Sequence, residues 1–288
     1  MSNKDQIQRI LFDNIDVRGV ITSLDQSFQD IMARHNYPVI IEQVLGEMLA
    51  AVTILSTNLK FNGKLILQAK GEGCVSTLMA ECNHLKHCRA IAQFDESIPA
   101  GLSFKQMLAE GHLVLTIEPE VGQRYQGYVP LENDTLAECL ADYFDRSEQL
   151  QSKFVFACEN GRARGLMLQV LPAMKSAEDD WSRLSMLTQT LTVDELLSLD
   201  NETLLFRLFH DEQCRLFEGQ NIEFKCQCSR ERSESALKLL ANEELLDIIA
   251  ERSFIEIDCQ FCNSNYSFDA SDVNEIILKK ELDSEQLH

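Results

Sequence analysis

The stretches FKCQCSRER (224–232) and IDCQFCNSNYSFD (257–269) decide how this chain is read. Each holds two cysteines, Cys226 with Cys228 and Cys259 with Cys262, and 30 residues separate the pairs. Two cysteine pairs flanking a small folded segment are what a tetrahedral four-thiolate zinc site requires, because each pair clamps one side of the ion. The second pair has the usual two-residue spacing. The first leaves one residue between its cysteines, which is tight but able to chelate. Residues 222–288 are few enough that an apolar core without a staple is weak, and one Zn2+ per chain would supply the missing stability. Four thiolates also fill the coordination sphere, so no position remains for an activated water and a zinc hydrolase is not expected.

Zinc holds cysteines as thiolates, the nucleophilic form. An oxidant that joins sulfur to sulfur takes the ligands away. Structural zinc contributes on the order of 10 kcal/mol, more than a small domain holds in reserve, so metal loss would mean local unfolding. The other six cysteines are scattered. Cys74, Cys139, Cys158 and Cys214 fall in apolar or amphipathic runs, where cysteine acts as a small hydrophobe. Cys82, His84, His87 and Cys88 place four potential ligands within ECNHLKHC (81–88). On a strand, however, His87 would point away from the other three, so the segment is read as a polar loop joining two strands. His35, His112, His210 and His288 are isolated, and the polar groups Gln123-Arg124-Tyr125 and Ser147-Glu148-Gln149 lack an assignable nucleophile or base.

Working outward, VRGVITSL (17–24) has strand content, and Pro38 suits the first position of a helix carrying Ile41, Leu45, Met48, Leu49, Val52 and Leu55. Strands are expected at 64–69, 74–81, 89–94, 112–118 and 124–131. A second helix, capped by Asn133 or Asp134, carries Leu136, Leu140, Tyr143 and Phe144. Asn160-Gly161 marks a hairpin, since both residues tolerate positive φ. These elements predict an α+β fold with an N-terminal mixed, largely antiparallel sheet domain and packed helices over 1–174. Residues 175–221 read as a helical, metastable linker. It contains the capping box Thr192–Glu195, a helix start at Asp200 or Asn201, and apolar faces built from Trp181, Leu184, Leu187, Leu196, Leu197, Leu204, Leu205, Phe206 and Phe209. Such short helices need a surface to lie on. Residues 222–288 form the small C-terminal four-cysteine zinc domain.

The chain has 288 residues, 45% of them apolar, with 26 basic and 46 acidic side chains. That apolar share excludes wholesale disorder. A net charge of −20 repels phosphate backbones and anionic bilayers, which makes nucleic acid and membrane poor partners. Residues 173–288 alone carry 11 basic and 25 acidic groups, so the tail is the more self-repelling part. The start, MSNKDQIQRI, has no export pattern, and the longest nearly uncharged apolar run, Met48–Leu55, is short for a span. The protein is expected to be soluble and cytoplasmic, with its cysteines mostly reduced.

On DQIQRILFDNIDVRG, NYPVIIEQVLGEMLAA, GHLVLTIEPEVGQRYQG, YFDRSEQLQSKF, GLMLQVLP, LFHDE and the two cysteine motifs, the sequence resembles the heat shock protein 33 family, the 33 kDa chaperonins, from Asp5 to Asp269. The resemblance implies a redox-regulated, ATP-independent holdase that binds unfolding proteins under oxidative stress, forms a homodimer when oxidised, and is not an enzyme. It implies that Cys226, Cys228, Cys259 and Cys262 bind zinc when reduced. On oxidation it implies disulfides pairing Cys226 with Cys228 and Cys259 with Cys262, the pairing that proximity in sequence also suggests. No phosphate-binding loop is seen, since Gly63-Lys64 lacks both the leading glycine and the following hydroxyl, so no nucleotide is expected. The competing reading is a zinc ribbon acting as a constitutive binding or regulatory adaptor. Against nucleic acid as its target, Lys225, Arg230, Arg232 and Lys238 are interleaved with Glu223, Glu231 and Glu234.

Overall fold

The computed structural model describes residues 5–171 and 178–285. The chain divides into two compact units, Met1–Lys225 and Cys226–His288. The expected domain boundary at 174/175, Pro172 and His288 lie outside the described residues.

In the larger unit, β1 (Gln6–Phe12) and β2 (Val17–Leu24) form a hairpin, followed by α1 (Gln26–Met32) and α2 (Val39–Leu55). Three antiparallel strands come next, β3 (Gly63–Lys70), β4 (Val75–Asn83) and β5 (His87–Phe94), then α3 (Phe104–Leu108), β6 (His112–Pro119) and β7 (Tyr125–Val129). Helix α4 (Leu136–Ser147) leads into the hairpin of β8 (Ser152–Glu159) and β9 (Arg162–Val170). The strands make two sheets. One runs β8, β9, β2, β1 and then β10 (Cys214–Leu216), with β11 (Gln220–Asn221) also on β1. The other runs β7, β6, β3, β4, β5 and ends on β12 (Glu223–Phe224), its one parallel pair being β5 with β12. The α+β, largely antiparallel class is as expected.

Helix α2 lies in the main core with residues of both sheets and shows why the sequence put it there. Pro38 is its N-cap, so the helix begins one residue later than expected, and apolar residues cover nearly its whole circumference. Val39–Asn58 is long and apolar enough to cross a membrane, yet most of it is buried against this core, which makes it a core helix. A side chain at Gly46 would run into Cys158 of β8, so glycine sets the close approach of helix to sheet. Thr135, not Asn133 or Asp134, caps α4, its hydroxyl accepting from the backbone N–H of Glu138 at 3.2 Å. Asn160 and Gly161 both take positive φ, 53° and 74°, as the hairpin signal required.

Residues along the first sheet alternate between two cores. Ile7, Val20 and Met167 face α2, while Ile10, Ile21 and Leu166 face the second cluster. That second cluster is closed by α5 (Glu178–Gln189), α6 (Val193–Ser198) and α7 (Asn201–Phe209), which supply Leu184, Leu196, Leu204, Leu205 and Phe209. The sheet is thus the surface the short helices needed. Thr192 and Glu195 make the expected capping box, and Asp200 caps α7. Phe206, expected on the apolar face, is instead 71% exposed: it follows Leu204 and Leu205 by two positions and one, and the helix turns it away from them. Strand β1 and the short β10 were not anticipated. The alternation in QIQRILF is broken by Leu11, and a three-residue strand carries too little pattern.

The smaller unit contains α8 (Arg230–Leu237), α9 (Asn242–Arg252), the antiparallel hairpin β13 (Phe254–Asp258) and β14 (Asn265–Asp269), and α10 (Ala270–Glu285). Its buried core is Leu237, Leu245, Ile255, Phe268, Val273 and Ile276.

Candidate metal centre

Two structural devices bring the four cysteines together inside the smaller unit. Cys226 and Cys228 precede α8, whose N-cap Ser229 accepts from the backbone N–H of Arg232 at 3.3 Å. Cys259 and Cys262 sit in the loop between β13 and β14. The Cys259 N–H donates to the carbonyl of Ser264 at 2.9 Å, and the Asn263 N–H returns to the carbonyl of Cys259 at 2.8 Å. Asn263 takes φ 57°, a left-handed turn that asparagine tolerates well.

Each cysteine offers its Sγ, and the four atoms lie within 4.8 Å of one another. Cys226 Sγ is 3.5 Å from Cys259 Sγ, and Cys228 Sγ is 3.3 Å from Cys262 Sγ. Sulfurs bonded to one zinc at about 2.3 Å would stand about 3.8 Å apart, whereas a disulfide needs about 2 Å. The spacing is that of a ligand set.

The protonation balance also fits a cation. Burial raises the Cys228 thiol, with the Cys262 and Cys226 sulfurs adding to the effect and hydrogen bonds from Tyr266 and Cys259 opposing it. Burial chiefly pushes Cys259 up to about 12. At Cys262 burial opposes ionisation, but hydrogen bonds from Ser264, Cys228 and Cys259 outweigh it and bring the thiol down to about 6. Cys262 is thus the sulfur whose ionised form these hydrogen bonds favour. A bound dication would let all four sulfurs ionise.

Around the sulfurs, the Tyr266 hydroxyl donates to Cys228 Sγ at 3.2 Å, and that sulfur pushes the phenol up to about 12. Arg230 donates to the carbonyl of Ser267 at 2.7 Å, pairs with Asp272 at 2.6 Å and stacks over the Phe268 ring at 4.3 Å. It ties the start of α8 to β14 and to the first turn of α10. Sequence reading missed these supporting residues; the aromatic stretch after the second pair was the signal for Tyr266 and Phe268.

Cys82, His84, His87 and Cys88 do not converge. Cys82 and Cys88 are cross-strand partners on β4 and β5, both fully buried, and burial raises the Cys82 thiol to about 11 and Cys88 well above its ordinary range. His84 Nδ1 meets the backbone N–H of Gly63 at 3.1 Å, and His87 Nε2 reaches Glu223 at 2.9 Å. Among the described residues the group able to hold a metal is the four-cysteine one. Cys139 and Cys158 are buried and Cys74 and Cys214 half-buried, in keeping with small apolar side chains. Glu148 accepts from the hydroxyls of Tyr143 at 2.8 Å and Tyr125 at 3.4 Å, a fold contact.

Comparison with known proteins agrees with this architecture. The family model described as Hsp33 protein matches residues 5–269. A 33 kDa chaperonin of Pseudomonas paraeruginosa is 49% identical over 96% of this chain and 95% of its own length. Those of Azotobacter vinelandii and Shewanella frigidimarina are 47% and 42% identical, over 96% and 94% of this chain and 95% of each of theirs. In fold, the chain is similar to the crystal structure of the 33 kDa chaperonin (heat shock protein 33 homolog) of Thermotoga maritima, with a TM-score of 0.83 at 23% identity over 97% of this chain and 99% of that one. The chain belongs to the Hsp33 family. Membership supports a chaperone role, and the cysteine cluster is suited to metal-linked or redox regulation.

Proposed function

We propose that the protein is a redox-regulated, ATP-independent holdase, not an enzyme, that captures unfolding proteins in a reducing compartment such as the cytosol when oxidants rise. The observation that carries this reading is the set of four thiols at ligand spacing on a unit whose buried apolar cluster, among the described residues, is Leu237, Leu245, Ile255, Phe268, Val273 and Ile276. Cys226, Cys228, Cys259 and Cys262 would hold one zinc ion. That ion would supply charge that keeps all four sulfurs as thiolates and a crosslink between the two motifs.

Peroxide oxidises one thiolate of a pair to a sulfenic acid. The second thiol attacks it, forming the S–S bond and expelling water. Overall, two thiols and one peroxide give one disulfide and two waters. The pairs assigned are Cys226 with Cys228 and Cys259 with Cys262, on sequence proximity and family resemblance. The sulfur contacts at 3.5 and 3.3 Å cross between the motifs, so closure within each pair requires the sulfurs to move. Bonded sulfurs no longer ligate, and the small core cannot hold the unit folded. We assign three functional parts: a core over 1–174, a metastable linker over 175–221 that leaves its sheet, and a switch over 222–288. Release of α5–α7 would uncover Ile10, Phe12, Ile21, Leu166 and Leu168, an apolar surface for unfolded clients and for a second subunit.

The test is suppression of aggregation of a chemically denatured client by reduced, zinc-loaded protein and by peroxide-treated protein. Activity confined to the oxidised form supports the switch; equal activity in both forms rejects it in favour of a constitutive adaptor.

A further inference from the structure

Beyond the C-terminal end of α2, where the helix stops filling the space between the two sheets, a cleft of about 1180 Å³ opens. Its walls are apolar, with Ile7, Val20 and Leu55 facing Leu65, Leu115 and Ile117. Large apolar clefts with a few convergent polar groups are the usual form of ligand sites. Its polar lining includes three cations, Arg9, Arg18 and Lys60, beside neutral groups and the carboxylates Glu148 and Glu218. Arg9 on β1 and Arg18 on β2 are diagonal neighbours on the sheet face that lines the cleft, since Leu11 pairs with Arg18 and Arg9 with Val20.

These two guanidiniums lack the partners that usually accompany them. Among the described residues no carboxylate forms an ion pair with either. Arg18 donates to Gln169 Oε1 at 2.5 Å, but its Nε is buried without a hydrogen-bond partner. Burial and the adjacent Arg9 both weigh against the Arg18 charge. The end of α2 does not need them. Its carbonyls at Thr53, Ile54 and Ser56 accept from Ser56 Oγ, Thr57 Oγ1 and Lys86 Nζ, at 2.6, 2.7 and 3.1 Å. Of the carboxylates lining the cleft, Glu148 is taken by tyrosine hydroxyls and Glu218 is exposed. In a chain of net charge −20, two adjacent arginines without anions at the mouth of an apolar cleft leave a site for an anion with a hydrocarbon tail.

We propose that this cleft binds a single-chain anionic amphiphile, a long-chain carboxylate, with its tail between the sheets and its headgroup on Arg9 and Arg18. The planar guanidinium fork matches a carboxylate. This inference does not rest on the redox reading, because the site belongs to the folded, reduced protein.

The test is isothermal titration of the reduced, zinc-loaded full chain with dodecanoate below its micellar range. Dodecyltrimethylammonium, dodecanol and acetate serve as separate probes of charge, chain and anion. One saturable dodecanoate site is expected, with dodecanol weaker and the other two probes not binding. Arg9→Gln, at an exposed position, is expected to weaken dodecanoate roughly tenfold or more. Ile117→Trp, which fills the cleft, is expected to abolish the site while circular dichroism shows the fold unchanged. Non-saturable uptake, equal affinity for the cationic and anionic chains, or unchanged affinity in Arg9→Gln overturns the proposal.

Discussion

At the scale of single residues, the ten cysteines of one chain separate into two chemistries by environment alone. Cys82 and Cys88 are fully buried, out of reach of a reagent in solution, whereas Cys226, Cys228 and Cys259 are partly exposed. In the native protein stripped of metal, iodoacetamide is expected to modify the four motif cysteines first and Cys82 and Cys88 last, as peptide mass spectrometry would show. Equal rates would contradict the burial. Cys228→Ser leaves three thiolates; zinc stoichiometry per chain should fall and residues 226–288 should become protease-sensitive without oxidant. Metal binding must displace protons from the raised Cys228 and Cys259 thiols, so zinc affinity is expected to drop between pH 8 and pH 6.5 in a competitive chelator titration. The ligand set was legible in sequence because chelation demands fixed spacing. Tyr266, Ser264 and Arg230 were not, since their roles depend on where a hairpin and a helix meet.

At the scale of elements, α6 and α7 are held to the first sheet by more than apolar contact. Arg164 of β9, buried to 6% exposure, donates through Nη1 to the carbonyls of Leu196 at 2.7 Å and Leu199 at 2.5 Å, capping the end of α6. Arg164→Met leaves those carbonyls without their donor and is expected to cost about 1–3 kcal/mol of linker docking, read as faster limited proteolysis within 193–209. The helix starts titrate as well. Glu195 and Asp200 are held below their ordinary values, by hydrogen bonds from the backbone and hydroxyl of Thr192 and of Thr203 respectively. A carboxylate depressed in the folded state stabilises above its unfolded pKa and loses that contribution as pH falls through the folded one. Amide exchange in α6 and α7 should therefore accelerate as pH falls below the ordinary values of 4.5 for Glu195 and 3.8 for Asp200, after correction for intrinsic rates. The boxes were readable because capping is a local matter of three residues; the Arg164 clamp spans more than thirty positions and was invisible.

At the scale of the whole molecule, stability is unevenly distributed. The larger unit buries α2 against two sheets, and Leu49→Ala there should cost about 2–5 kcal/mol in denaturant unfolding. Among the described residues the buried apolar cluster of the smaller unit has six side chains, so stripping metal from the reduced protein should melt residues 226–288 while the larger unit keeps its far-ultraviolet signal. A metal-free protein in which both units remain equally protease-resistant would refute that division.

The sequence by itself determined the chemistry that local pattern encodes: two thiol pairs at chelating distance, a helix apolar on nearly every side, a tight turn at Asn160-Gly161 and helix starts at Thr192 and at Asp200 or Asn201. Each of these depends on residues a few positions apart, and short-range geometry is nearly the same in any fold. Only the tertiary structure decided that Cys82 and Cys88 are buried strand partners, that Phe206 faces solvent, and that Arg9 and Arg18 stand side by side at the mouth of an apolar cleft. Those outcomes depend on strand register and on the layer each face meets, and both are set by the free energy of burying the whole chain at once.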